Sequence, residues 1–185
     1  HEGRIEMLGS TMSVLDSYQD YVRLRDSEQA ALKRDEALVE GKKLGEETCL
    51  REVTLGGDCR DGVIETGGAL KIRIVARLAP AAQKEGVHVG IVFVRNDMTI
   101  CYGVNTKMDE LGDAVLYPLQ GDEYGISFVL ENLSLLAGEY HVSVFLSDLS
   151  GLHNYDILNG VIQFKVQQRT KEVGLVRLAH HWEQP

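Results

Sequence analysis

The chain has 185 residues, 44% hydrophobic and 25% charged, with a formal net charge of -9, which describes a globular protein able to bury a core without disulfide or metal staples. That negative balance, with no clustered Lys/Arg patch, argues against nucleic acid as a partner. Cys49, Cys59 and Cys101 are odd in number and lack a C-x-x-C pair, which argues against a disulfide framework or structural zinc and fits a reducing cytoplasm, while no apolar run approaches the ~18 residues of a membrane span and no signal peptide is evident.

The chain opens with HEGRIEMLG, punctuated by Gly3 and Gly9, and a helix start at Ser10/Thr11. Val14, Leu15, Tyr18, Tyr21, Val22 and Leu24 form an apolar stripe near helical spacing, and helical character runs from 13 to about 43. The stripe fades into KRDEALVEGKKLGEE. This charged run reads as a solvated helix or flexible tether, with a partner-binding helix as the alternative. No G-x-x-x-x-G-K-[ST] occurs, so the chain has no glycine loop to cradle phosphates.

From Leu50 onward the pattern changes to period two. KIRIVARL (71–78), VHVGIVFV (87–94), TICYGVNT (99–106), YGISFVL (124–130), YHVSVFL (140–146), VIQFKV (161–166) and GLVRL (174–178) alternate or run apolar, which predicts short strands in a β-sandwich or barrel. Asn96-Asp97 marks a tight hairpin, and Asn159-Gly160 marks a turn before VIQFKV. Tyr140, Val142, Val144 and Leu146 share one face of their strand, with His141, Ser143, Phe145 and Ser147 on the other.

Leu136, Gly138 and Tyr140 resemble the L-x-G-x-Y corner of immunoglobulin-like sandwiches, where the tyrosine hydroxyl bonds back to the main chain. The expected fold is mainly β, an immunoglobulin-like antiparallel sandwich preceded by an N-terminal helix and linker. The opening segment resembles the end of an ABC-transporter ATPase domain. Together with ETGGALKIRIVARL, VGIVFVRNDMTICYGVNT, LLAGEYHVSVFLSD and FKVQQRTKEVGLVRLAHHW, it makes the chain similar to the Wzt family, the nucleotide-binding subunits of O-antigen polysaccharide exporters. The resemblance implies an ATPase remnant over 1–24, a charged helical linker over 25–48 and a carbohydrate-binding sandwich over 49–185. It further implies a cytoplasmic module at the inner membrane that recognises the capped non-reducing end of a lipid-linked polysaccharide and licenses export by the membrane subunit. A homodimer with an exchanged C-terminal strand, hinged near 168–172, is implied as well; a cofactor is not.

Pairing the strands as such a sandwich places 87–94, 99–106, 140–147 and 161–166 in one sheet. Its outward positions are His88, Gly90 and Val92; Thr99, Cys101, Gly103 and Asn105; His141, Ser143, Phe145 and Ser147; Gln163 and Lys165. Small residues at Gly90, Gly103 and Ser143 would leave a shallow depression beside Phe145, edged by polar groups. An aromatic platform for C–H faces and a polar array for hydroxyls is what sugar recognition requires. The candidate carbohydrate contacts are His88, Thr99, Asn105, His141, Ser143, Phe145, Ser147, Gln163 and Lys165, with Lys165 or Lys107 available to a phosphate or carboxylate cap. A polar outer face is also what solvent alone selects on an antiparallel sheet.

Neither G-x-S-x-G nor H-E-x-x-H occurs, so the residues give no support to catalysis. Adjacent His180 and His181 lack partners at ligand spacing and indicate no metal site. Trp182 suits an interface or core plug for the C-terminal segment better than a sugar platform. The alternative to glycan binding is a dimerisation or docking module that spaces two ATPase subunits.

Overall fold

The computed structural model describes residues 48–112 and 115–183. The expected ATPase remnant (1–24) and helical linker (25–48) lie outside the described residues, apart from Thr48. The remainder forms two sheets. The smaller has the order β1-β3-β7-β6, from β1 (Cys49–Gly57), β3 (Leu70–Arg77), β7 (Glu123–Leu130) and β6 (Tyr117–Pro118). The larger has the order β2-β9-β8-β4-β5, from β2 (Val63–Glu65), β9 (Asn154–Gln167), β8 (Gly138–Asp148), β4 (Val87–Arg95) and β5 (Ile100–Asn105). Neighbours are antiparallel except β2 and β9.

Alternation decides which face of each strand is buried. In β3, Leu70, Ile72, Ile74 and Ala76 are buried and Lys71 and Arg73 are exposed; in β8, Tyr140, Val142, Val144 and Leu146 point inward as their period predicts. Each such large apolar side chain contributes about 1.5–3 kcal/mol on burial. Phe93 joins the layers, its ring 6.0 Å from Phe128 of the smaller sheet and 6.2 Å from Phe164 of the larger. The short helix α1 (Pro80–Glu85), which the period-two pattern does not announce, carries the chain from one sheet to the other. Pro80 sits in its first turn, where a missing N–H costs nothing.

The corner forms as its motif implies. The buried Tyr140 hydroxyl donates to the Leu136 carbonyl at 2.7 Å, and its ring stacks on Phe164 with centroids 5.6 Å apart. Glycine at 138 is explained by the same contact, because a Cβ there would lie 3.2 Å from the Tyr140 ring.

The four strands expected in one sheet do share it. Three local expectations are corrected. Asn159-Gly160 is no turn: Val142 pairs with Ile162 and Val144 with Leu158, so Asn159, Gly160 and Val161 bulge opposite Ser143 within the continuous β9. Gly160 takes φ 53°, and its N–H donates to Ser143 Oγ at 2.9 Å, so the hydroxyl supplies the acceptor the ladder lacks there. Thr99 and Cys101 do not alternate outward. Phe93 pairs with Tyr102 and Val94 with Ile100, so an extra residue shifts the phase: Cys101 packs against the core, Ile100 is exposed, and Thr99 sits in the hairpin turn beside Asp97. Finally, GLVRL is not a strand. It makes one bridge, Leu135 to Val176, flanked by bonds from Leu136 N to Leu175 O and from Arg177 N to Ser134 O, because the chain at 134–136 offers only a brief edge before β8 begins.

Candidate functional site

The outward face of the larger sheet holds a depression of about 330 Å³. Its floor is Gly90, which pairs with Asn105 on one side and Phe145 on the other, and Gly103, which pairs with Val92. A Cβ at Gly90 would meet the Asn105 and Phe145 Cβ atoms at 3.5 and 3.7 Å. Its absence bares the flank of the Phe145 ring. The half-buried Phe145 therefore forms an apolar wall over a backbone floor, suited to stacking a sugar C–H face.

The rim is polar and fixed by hydrogen bonds. Asn105 Oδ1 accepts from Met108 N at 2.8 Å, which orders the loop after β5 and leaves the amide NH2 as a donor. Lys107 reaches from that loop to the β8–β9 hairpin, donating through Nζ to the Leu149 and Ser150 carbonyls at 3.2 and 3.0 Å. The hairpin is organised by Asp148, whose carboxylate accepts from the Ser150 hydroxyl and the Gly151 N–H, each at 2.8 Å. These bonds, led by that from Ser150, hold the Asp148 carboxyl below its ordinary value. Gly151 and Asn154 complete the end wall.

The depression gathers four of the residues expected from sequence: His88, Asn105, Phe145 and Ser147. His88 is 5% exposed, with Nδ1 3.1 Å from Thr106 Oγ1, so it supports the floor rather than projecting from it. His141, Ser143 and Gln163 lie on the same face farther along β8 and β9, outside the depression. Lys165 lines a separate hollow near Glu139, and Thr99 belongs to neither. Met108, Gly151 and Asn154 were missed by sequence reasoning. Asn154 comes opposite Ser147 only through a register shift after Leu146, where regular pairing would have placed Tyr155; Met108 and Gly151 lie on loops that alternation does not orient.

The described chain matches the Wzt C-terminal domain family over residues 52–178. Among solved structures, the crystal structure of the C-terminal domain of wzt superposes with a TM-score of 0.61 at 15% identity, covering 75% of this chain and 84% of that one. The two share a fold. A calcium-binding mutant of Bacteroides uniformis β-glucuronidase 2 overlaps at a TM-score of 0.41 and 12% identity, covering 61% of this chain and 14% of its own. The soluble domain of PmoD from Methylocystis sp. overlaps at 0.28 and 15%, covering 62% and 89%. Neither bears on function. No curated protein matches.

Proposed function

This chain belongs to the Wzt C-terminal domain family, and from that premise we propose that it binds the non-reducing end of an undecaprenyl-linked O-antigen polysaccharide and couples recognition to ABC-transporter export. The observation that carries the reading is the glycine-floored depression, walled by Phe145 and edged by Asn105, Lys107 and Asn154. An aromatic flank beside the Asn105 carboxamide, held by the Met108 N–H, a second amide at Asn154 and one cation suits a terminal sugar, and Lys107 suits a phosphate or carboxylate cap. The β8–β9 hairpin closes one end, which favours a chain terminus over an internal segment. Such a task places the domain in the cytoplasm at the inner membrane, beside the transporter's membrane subunit, with no chemistry of its own.

The test is calorimetric titration of the full chain with O-polysaccharide released from the source bacterium's lipopolysaccharide, compared with the same material after removal of its terminal cap. Selective binding of the capped chain supports the reading; equal or absent binding to both overturns terminus recognition.

A second reading, a dimerisation or docking module, is favoured by one observation: Val173, Leu178 and Trp182 are 94%, 72% and 93% exposed, a concentration of uncovered apolar side chains suited to a homodimer with an exchanged C-terminal strand. It gains if Phe145→Ala with Gln163→Ala leaves export intact while loss of residues 172–185 abolishes both dimers and export.

A further inference from the structure

We propose that the same sheet carries a second sugar subsite, built from Asn96, Glu139, Lys165 and Gln167, which holds an internal, uncharged residue of the chain whose end occupies the Gly90 depression. The inference rests on the glycan-binding reading above and extends it from a terminal contact to a track.

The hollow has a volume of about 440 Å³. Two strands, β8 and β9, and the turn after β4 converge on it. Arg95 at the end of β4 pairs with Tyr140, so Asn96 follows directly beside Glu139 and donates its N–H to the Glu139 carbonyl at 3.0 Å. Glu139 faces Lys165 across β8 and β9. Lys165 lies beside Val63 of β2, and Gln167, two residues on and exposed, beside Glu65. The wall is braced by Gln168, which spends its whole carboxamide internally: Oε1 accepts from Ala137 N at 2.8 Å, and Nε2 donates to the Thr170 and Glu172 carbonyls at 3.0 and 2.7 Å.

Among the described residues, the side chains of Asn96, Glu139, Lys165 and Gln167 make no such internal bonds. Glu139 and Lys165 sit opposite one another without closing into an ion pair. A carboxylate that only accepts, an ammonium that only donates and two amides that do both form an alternating set around one concavity. That set matches a polyhydroxyl surface, where each hydroxyl donates and accepts. It disfavours a phosphate, which Glu139 would repel, and an amine, which Lys165 would repel. The chemistry thus differs from the depression, whose rim offers Lys107 without a facing carboxylate in its lining.

The two hollows are related by the strand that joins them. Phe145 and Glu139 are six residues apart on β8, about 20 Å at roughly 3.3 Å per residue. His141 and Ser143 lie between them on the same face, flanked by Gln163. A saccharide must therefore run through several residues to reach from one to the other, and short end fragments cannot fill both.

The experiment compares long and short fractions of O-polysaccharide released by mild acid from the source bacterium's lipopolysaccharide, each keeping the natural non-reducing end, titrated into the full chain. Wild type is expected to bind the long fraction about tenfold more tightly than the short one. Glu139→Ala with Gln167→Ala, both exposed positions, is expected to erase that difference while leaving short-fragment affinity and the thermal midpoint unchanged. Equal wild-type affinity for both fractions, or a double variant that retains the length preference or weakens both alike, overturns the second subsite while leaving terminus binding in place. Absence of wild-type binding to either fraction overturns the glycan reading and the subsite together.

Discussion

Lys107 Nζ donates to the Ser150 carbonyl at 3.0 Å, so one side chain ties the loop after β5 to the β8–β9 hairpin across the end of the depression. Lys107→Met is expected to release the hairpin and weaken capped-chain binding by about tenfold, the lower end of the ~1.5–3 kcal/mol that a hydrogen bond to a charged group contributes. Amide exchange at Gly151 and Leu152 should quicken while β8 stays protected. Lys107→Arg should restore part of both. Unchanged exchange in the methionine variant would refute the tie.

Gly90→Val tests the floor. The added Cβ meets ordinary van der Waals neighbours at 3.5 and 3.7 Å, so the sheet should tolerate it and the melting temperature should move by only a few degrees. The branched side chain, however, occupies the space beside Phe145. Calorimetry should show at least a tenfold loss of glycan affinity with an unchanged circular dichroism spectrum.

Tyr140→Phe removes the hydroxyl that donates to Leu136 and leaves that buried carbonyl without its partner, at a cost of about 1–3 kcal/mol. Urea denaturation should show a lower midpoint with an unchanged slope. Tyr140 faces the core, not the depression, so glycan affinity should hold.

Asp97 provides an acid-sensitive contact at the β4–β5 hairpin. The Arg95 guanidinium, helped by Thr99, holds its carboxyl well below the ordinary value of 3.8. A depressed folded pKa means that its contribution is full above the ordinary value and is lost as pH falls through the folded one. The stability gap between wild type and Asp97→Asn should therefore be constant at neutral pH and narrow below about pH 4. Urea melts across that range measure it; a gap that widens in acid would contradict the assigned direction.

Period two by itself determined the inward side chains of β3, β4 and β8, because successive residues of an extended chain must point to opposite sides of a sheet, but Val75 and His88, out of that phase, are buried as well. Pairing the strands as an immunoglobulin-like sandwich placed β4, β5, β8 and β9 together, and the resemblance to the L-x-G-x-Y corner pointed to the Tyr140 contact, which spans only four residues. Family membership was legible at the same level, from segments spread in order across the sandwich. What alternation could not supply was its own interruptions. The extra residue at Cys101 removed Thr99 from the face, and the bulge at Asn159–Val161 turned an expected turn into continuous strand. Both depend on cross-strand pairing, which no local pattern records.

The candidate site divides the same way. The sequence determined its chemistry, with Gly90 and Gly103 leaving room beside Phe145 and polar residues at the alternate positions. Only the tertiary structure decided which of those residues meet. His88, Asn105, Phe145 and Ser147 share one depression, Lys165 lines another hollow opposite Glu139, and Lys107 arrives from a loop to close the first. The physical reason is that a binding surface is fixed by register and by loops packed from distant positions, whereas the alternation that builds each strand is local.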